Sequence, residues 1–375
     1  MNFNEFFKFV HLGGDRVQRL IYKGDNKFVV EETPQPIVGV NEVLVEMRVA
    51  ALCGSDLHIK EQHDVELKKD PTYRVTTPSH EPAGVVAQVG EGAETLKEGD
   101  RVAVYHKIGC MACPQCISGN IVMCDSGGAF GCEYDGAAAD YMVVPKENCL
   151  LLPEPLSFTD GAIMMCAGGT AFSAFEKVAP TPGQTIAIIG CGPLGLAAII
   201  LAKAYNLKVF AIDIGDERLK LAEKLGADFI YNSHDDAVEE GVYDLVHGFI
   251  VPTTTTVKRI REECGGRGVD LVMECSSSLE ARNNGVDLLA QQGKMVLLGI
   301  NNSFRENFNF QQSLAPDKLI FKEIQIFGSN VFSLPLYYKM VDFMVSNKIS
   351  FEPLVSHTFS LQEGQEAFDT AAKGS

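Results

Sequence analysis

The sequence predicts an α/β protein of two domains, a β-rich first part followed by a doubly wound parallel sheet with helices on both faces. Three observations carry that expectation. The chain has 375 residues, more than a single hydrophobic core usually serves. Up to about residue 150 it reads as short strands punctuated by glycine and proline. From about Gly183 onward, apolar runs of strand length alternate with helical stretches, the pattern of a parallel sheet.

Glu42-Val-Leu-Val-Glu-Met-Arg-Val49 alternates like a strand, and Gly84–Val89 and Arg101–Tyr105 are short apolar strands. Pro34, Pro36, Gly39, Gly90, Gly92 and Gly99 mark the turns between them. Thr185–Ile189 is an apolar run ending in glycines, and an Ala/Leu-rich helix runs from there to about Tyr205. Lys208–Asp213 predicts the next strand and Glu217–Leu225 the next helix. Val269–Met273, Gly293–Leu298 and Glu323–Phe327 supply further strands. The domain boundaries implied are residues 1–173, 174–329 and a final stretch 330–375.

Composition narrows the function. With 46% hydrophobic and 22% charged residues the chain has globular proportions, not fibrous or disordered ones. Its net charge of −17 repels phosphate backbones and anionic lipid, so neither nucleic acid nor a membrane surface is an expected partner. Met1–Val10 is Phe-rich but holds Glu5 and Lys8 and lacks a small-residue cleavage site, so it is not read as a signal peptide. The longest uncharged run, Ile186–Ala202, is broken by Gly190, Gly192, Pro193 and Gly195 and falls short of a membrane span. A cytoplasmic protein is expected. In that compartment 11 cysteines argue for metal ligands before disulfides.

Gly190-Cys-Gly192-Pro-Leu-Gly195 is a G-x-G-x-x-G turn between a strand and a helix. Gly190 permits the tight turn, Gly192 lets a pyrophosphate approach the backbone, and Gly195 allows close helix–strand packing. Pro193 suits the first helical turn. Asp213 closes the following strand, near the offset expected for the acid that holds an adenosine ribose, which favours NAD over NADP. The turn residues Gly190, Gly192, Pro193, Leu194 and Gly195, with Asp213 and Arg218, form the expected cofactor-binding set. The competing explanation is a structural glycine turn with a solvated aspartate.

Cys110, Cys113, Cys116 and Cys124 stand at C-x₂-C-x₂-C-x₇-C. Four thiolates so close can shut a tetrahedral shell around zinc, leaving no position for substrate, so such a site orders a loop. An iron–sulfur cluster or buried free thiols would use the same residue type. Three further candidates are scattered: Cys53 in Cys53-Gly-Ser-Asp-Leu-His58, His80 in Ser79-His80-Glu81, and Cys166 in Cys166-Ala-Gly-Gly-Thr170, which reads as the opening of a helix. A Cys₂His set would leave zinc one open position, as a catalytic metal needs. Read alone, buried thiols and a packed histidine account for these residues equally well.

These motifs, in this order, resemble the zinc-dependent medium-chain alcohol dehydrogenases from about Leu20 to Gly374. The resemblance implies a GroES-like catalytic domain interrupted by a Rossmann dinucleotide domain, with the chain returning to the first at its end. It implies Cys53, His80 and Cys166 as catalytic zinc ligands, with Glu81 a carboxylate able to visit the metal and Asp56 a partner of the histidine. Ser55 and His58 match the inner and outer members of a proton relay. Cys110, Cys113, Cys116 and Cys124 match the structural zinc site, giving two zincs per subunit. A homodimer or homotetramer is implied as well.

Four departures stand out. Met165 occupies the place where polyol-type relatives have glutamate, favouring a cysteine-type shell. The stretch 233–256 is longer than expected, and Val251-Pro-Thr-Thr-Thr-Thr256 matches nothing assignable. Relatives continue through a last strand where this sequence reaches Ala371-Ala-Lys-Gly-Ser375, and residues before about Arg16 have no counterpart. The expected activity is NAD-dependent interconversion of an alcohol and a carbonyl. The rivals are the same chemistry on a sugar, polyol or threonine-like substrate, and a non-catalytic binding relative.

Overall fold

A computed structural model describes residues 16–234, 236–244, 249–300 and 316–373. The Phe-rich start, Met1–Val10, therefore lies outside the described residues. The chain divides into two compact units, Met1–Cys166 with Ser333–Pro335 and Val355–Ser375, and Ala167–Phe332 with Leu336–Leu354.

The first unit opens with the antiparallel pair β1 (Arg16–Tyr22) and β2 (Phe28–Pro34). β3 (Glu42–Ala51) leads into helix α1 (Gly54–Lys69), followed by β4 (Glu81–Val89), β5 (Arg101–Val104) and the short β6 (Lys107–Ile108). Helix α2 (Pro114–Ile117) and β7 (Gly128–Ala129) belong to the cysteine loop, with β8 (Tyr141–Pro145), β9 (Cys149–Leu151) and α3 (Phe158–Ile163) after them. Five strands form an antiparallel sheet in the order β8-β3-β4-β5-β9. Val43, Val45, Val86, Val102, Val104 and Val144 are all but fully buried in its core with Phe130 and Met142. Branched side chains at these positions suit the pleated surface, and their burial drives the sheet shut.

The second unit holds α4 (Gly169–Val178), β10 (Thr185–Ile189), α5 (Pro193–Ala204), β11 (Lys208–Asp213), α6 (Asp216–Lys224) and β12 (Phe229–Asn232). After a hairpin of β13 (Val238–Asp244) and β14 (Phe249–Thr254) come α7 (Thr255–Glu263), β15 (Val269–Glu274), α8 (Leu279–Leu288), β16 (Leu289–Leu297), α9 (Pro316–Lys322), β17 (Gln325–Gly328) and α10 (Leu334–Asn347). Six of these strands lie in a parallel sheet, β12-β11-β10-β15-β16-β17. The α/β class expected from the alternation is the one observed. All five residues of β10 are buried, which is why that run reads as continuously apolar and not as alternating. Helix α11 (Gly364–Lys373) returns to the first unit and stacks Phe368 on Phe28, ring centroids 3.9 Å apart.

Several elements differ from the sequence expectation: β4 starts at Glu81 and β16 at Leu289, three and four residues earlier than expected. The unassigned stretch 233–256 contains the β13–β14 hairpin, a separate antiparallel pair inserted between β12 and α7. Its runs of glutamate and threonine carry no apolar alternation strong enough to read as strands. The final strand starts at Gln325, two residues later than expected, and ends at Gly328.

The glycine turn is sterically exacting. Gly190 has φ +95°, a conformation L-residues rarely adopt. A Cβ on Gly195 would stand 1.8 Å from the Gly190 carbonyl oxygen. Gly195→Ala should therefore destabilise the protein by about 3 kcal/mol or more, the upper end of core overpacking, because the obstacle is backbone. Urea unfolding reads this directly, and an unchanged midpoint would mean that α5 can move off the turn freely.

Candidate metal and cofactor sites

The scattered residues meet because of one strand register. In the antiparallel β3–β4 ladder Ala51 pairs with Glu81, so Cys53, two residues beyond β3, and His80, one residue before β4, emerge at the same end. Cys53 caps α1, and the carboxylate of Asp56 in the first turn ties the two together. Its Oδ2 accepts the Cys53 amide hydrogen bond at 2.9 Å, and its Oδ1 accepts from His80 Nδ1 at 3.1 Å. That leaves His80 Nε2 facing Cys53 Sγ, 3.2 Å away. The C-G-S-D spacing thus has a geometric reason: the N-cap and the third helical residue are where one carboxylate reaches both groups.

Ser79, just before the histidine, has φ +73°, strain in a non-glycine residue of the kind that collects at functional sites. It is held by its hydroxyl donating to the Ala51 carbonyl at 2.9 Å and by amide hydrogen bonds from Gly136, Ala137 and Ala138 to Thr77, Ser79 and Pro78. A Cβ on Gly136 would stand 2.1 Å from the Ser79 oxygen, so only glycine allows that approach.

Cys166 does not open a helix, as its sequence suggests. It sits inside a π-helical turn, Met164–Gly168, between α3 and α4. An apolar stretch of Met, Ala and Gly gives no sign of an extra residue in the helical register, so the sequence could not announce it. The turn brings Cys166 to Cys53, His80 and Glu81, whose potential ligand atoms all lie within 4.8 Å of one another. Glu81 is buried at 2% exposure, and its Oε1 has no hydrogen-bond partner. An orphaned carboxylate oxygen beside two thiols and an imidazole nitrogen is the donor set zinc takes.

The charges shift accordingly. Cys166 donates to Cys53, which holds the Cys53 thiol well below its usual range and pushes Cys166 well above its own. Burial opposes charge on His80, but Asp56 and Cys53 outweigh it and raise the imidazole well above normal. Burial, reinforced by Cys53, raises Glu81.

Sequence reasoning missed His106. It is 4% exposed, its ring centroid lies 5.3 Å from that of His80, and its Nδ1 lies 2.8 Å from the carbonyl oxygen of Met165. Burial, then the charge of His80, hold it well below the usual histidine range. Nothing in Tyr105-His-Lys107 marks such a neighbour; only the β4–β5 pairing brings it there. Ser55 is exposed, and its backbone amide hydrogen-bonds toward Cys53. The His58 side chain is 47% exposed, with Nδ1 3.5 Å from Glu61.

Cys110, Cys113, Cys116 and Cys124 also place their sulfurs within 4.8 Å of one another. The Cys110–Cys116 separation is 4.0 Å, close to the ~3.8 Å of two sulfurs on one tetrahedral zinc. Amides of Cys110, Cys113 and Cys116 point at sulfurs of Cys124, Cys110 and Cys113, 3.3 to 3.4 Å away. Donors from Ala112 and Cys113 draw Cys110 down to about 6, while burial pushes Cys116 up to about 12. A Cβ on Gly109 would meet Cys116 Sγ at 2.6 Å, so the loop needs glycine to wrap this tightly.

In the second unit, Gly192 is the N-cap of α5, with Pro193, Leu194 and Gly195 as the first helical residues. A Cβ on Gly192 would meet nothing within 4 Å, leaving room before the helix N-terminus where an anion is favoured. Asp213 is 6% exposed at the end of β11. Its Oδ2 accepts from the Cys191 amide at 2.6 Å and its Oδ1 from the Gly215 amide at 2.8 Å, while Arg218 Nη1 lies 3.8 Å from Oδ1. The aspartate therefore braces the glycine turn as well as standing beside it.

Two family models cover most of the chain: the alcohol dehydrogenase GroES-like domain over residues 39–154 and the zinc-binding dehydrogenase over residues 193–346. An uncharacterized zinc-type alcohol dehydrogenase-like protein of Escherichia coli is 30% identical over 94% of this chain and 94% of its own length. An L-threonine 3-dehydrogenase of Coxiella burnetii is 30% identical over 92% of this chain and 93% of its own. A solved alcohol dehydrogenase of E. coli in complex with NADH superposes with a TM-score of 0.80 at 25% identity, covering 96% of each chain. Among the described residues no helix is long and apolar enough to cross a membrane. Sequence, fold and donor geometry agree: the chain belongs to the zinc-dependent medium-chain alcohol dehydrogenases, oxidoreductases that act on CH–OH donors.

Proposed function

We propose that this protein is an NAD-preferring alcohol dehydrogenase with one catalytic and one structural zinc per subunit. The observation that carries the reading is the convergence of Cys53, His80, Glu81 and Cys166, with Asp56 orienting the histidine. The first unit would be the catalytic domain and the second the nucleotide-binding domain.

Cys53, His80 and Cys166 would hold the catalytic zinc, with Glu81 as a carboxylate able to exchange onto it, and the four cysteines of the loop would hold the other. When bound, zinc supplies a Lewis acid that lowers the pKa of an alcohol hydroxyl, and NAD supplies the hydride acceptor. Asp56 keeps His80 in the tautomer that presents Nε2. Ser55 would relay the alcohol proton, giving up its own hydroxyl proton as it accepts, and His58, half in solvent, would be the outer end that releases a proton to water. Gly192 and the α5 N-terminus would receive the pyrophosphate. Each oxygen of Asp213 already accepts one amide, and each keeps a lone pair for a ribose hydroxyl. A symmetric homo-oligomer in the cytoplasm completes the proposal.

The deciding experiment measures reduction of NAD and of NADP by absorbance over a panel of simple alcohols, polyols and 3-hydroxy amino acids. Turnover confined to polyols or to hydroxy amino acids would move the substrate class to the second reading, and no turnover on any of them would leave a binding protein. Asp213→Gly should raise the NADP-to-NAD efficiency ratio by about tenfold or more, since a carboxylate repels a 2′-phosphate. It should also lower stability by about 1–3 kcal/mol, because the Cys191 amide loses a buried acceptor. Equal efficiency with both cofactors before any substitution would remove Asp213 as the selector.

A further inference from the structure

We propose that His106 is a positioning residue that locks the π turn and thereby aims Cys166 at the metal position. The inference rests on the reading of Cys53, His80 and Cys166 as a zinc site. A carbonyl only accepts, so the 2.8 Å contact between His106 Nδ1 and the Met165 oxygen fixes the imidazole N–H on Nδ1. Met165 is the residue before the ligand, and both lie in the π turn Met164–Gly168.

A π turn carries one residue more than the α-helical register and leaves a carbonyl without its usual partner in the helix. His106 offers a donor from another segment to a carbonyl inside that turn, the one of Met165. If the turn relaxed to α-helix, removing one residue of register would rotate the residues beyond it by about 100°, enough to carry a side chain off the cluster. The His106 ring is itself held, 4% exposed, against the His80 ring and the β4–β5 end of the sheet. One buried imidazole thus couples the strand-borne ligands to the helix-borne one.

The test compares two amides of equal polarity. His106→Asn places an N–H where Nδ1 stands, whereas His106→Gln places it one bond further out. Metal affinity is read by competition with a chelator, and geometry by the thiolate-to-metal charge-transfer band of cobalt-substituted protein, with the four-cysteine loop as internal control. Asn should preserve affinity and spectrum. Gln, and His106→Phe, should weaken metal at the Cys53 group by about 10- to 100-fold and shift its band, with the loop metal unchanged. Equal behaviour of Asn and Gln, or unaltered affinity and band in both Gln and Phe, overturns the role of His106 while leaving the site intact. Unsubstituted protein that binds metal only in the loop overturns the zinc reading itself.

Discussion

Replacing Cys166 by alanine should extinguish alcohol oxidation while the protein stays folded and still binds NAD. The substitution deletes one of three donors from an open shell, and the Lewis acid that shell would carry is worth several kcal/mol of charge stabilisation. At about 1.4 kcal/mol per decade the rate should fall by at least ~10³-fold. Folding should survive for a structural reason. His80 is anchored by Asp56 and Cys53 by the α1 cap, both protein contacts independent of metal. Zinc content should drop by one per chain, with thermal melting and the fluorescence titration of NADH binding nearly unchanged. A Cys166→Ala protein that retains turnover would remove the catalytic assignment. One that unfolds would show the group to be structural.

Cys113→Ala should fail the opposite way. Its sulfur accepts from the Cys116 amide and its amide points at Cys110 Sγ, so its loss opens the closed shell and strips two loop contacts at once. Regular pairing across this loop is slight: β6 and β7 are two residues each. The zinc that four thiolates would bind there supplies folding free energy, on the order of 10 kcal/mol in small peptides. A lower melting temperature and new protease cleavage between residues 109 and 124 are expected, with activity lost in proportion to folded protein. If melting is unchanged and only kcat falls, the two cysteine groups have exchanged roles.

Much of this was legible in the sequence because it is local. The glycine turn, the C-x₂-C-x₂-C-x₇-C loop and the strand–helix alternation are written in consecutive residues, and the sheet orders observed match the class they imply. The scattered donors were a different matter. No spacing links Cys53 to His80; the β3–β4 register does, and registers are set by tertiary packing. The π turn and His106 were opaque for the same reason, since a one-residue helical insertion leaves no compositional trace. The β13–β14 hairpin escaped because its residues lack apolar alternation. Asp213 was read for its charge, while its second task, accepting the Cys191 amide, depends on a backbone geometry no motif spells out.

The separation of the two donor groups along the chain sets an order of assembly. The loop ligands fall between residues 110 and 124, whereas the others stretch from residue 53 to residue 166. Closing the longer span costs about 2 kcal/mol more loop entropy. It also requires the β3–β4 ladder to have formed, while the loop requires little besides itself. During synthesis all four loop thiols are in the chain before Cys166 has been added. On the proposed two-zinc reading, a cell short of zinc would therefore accumulate chains half-metallated in one sense only, with the loop filled and the Cys53 group empty.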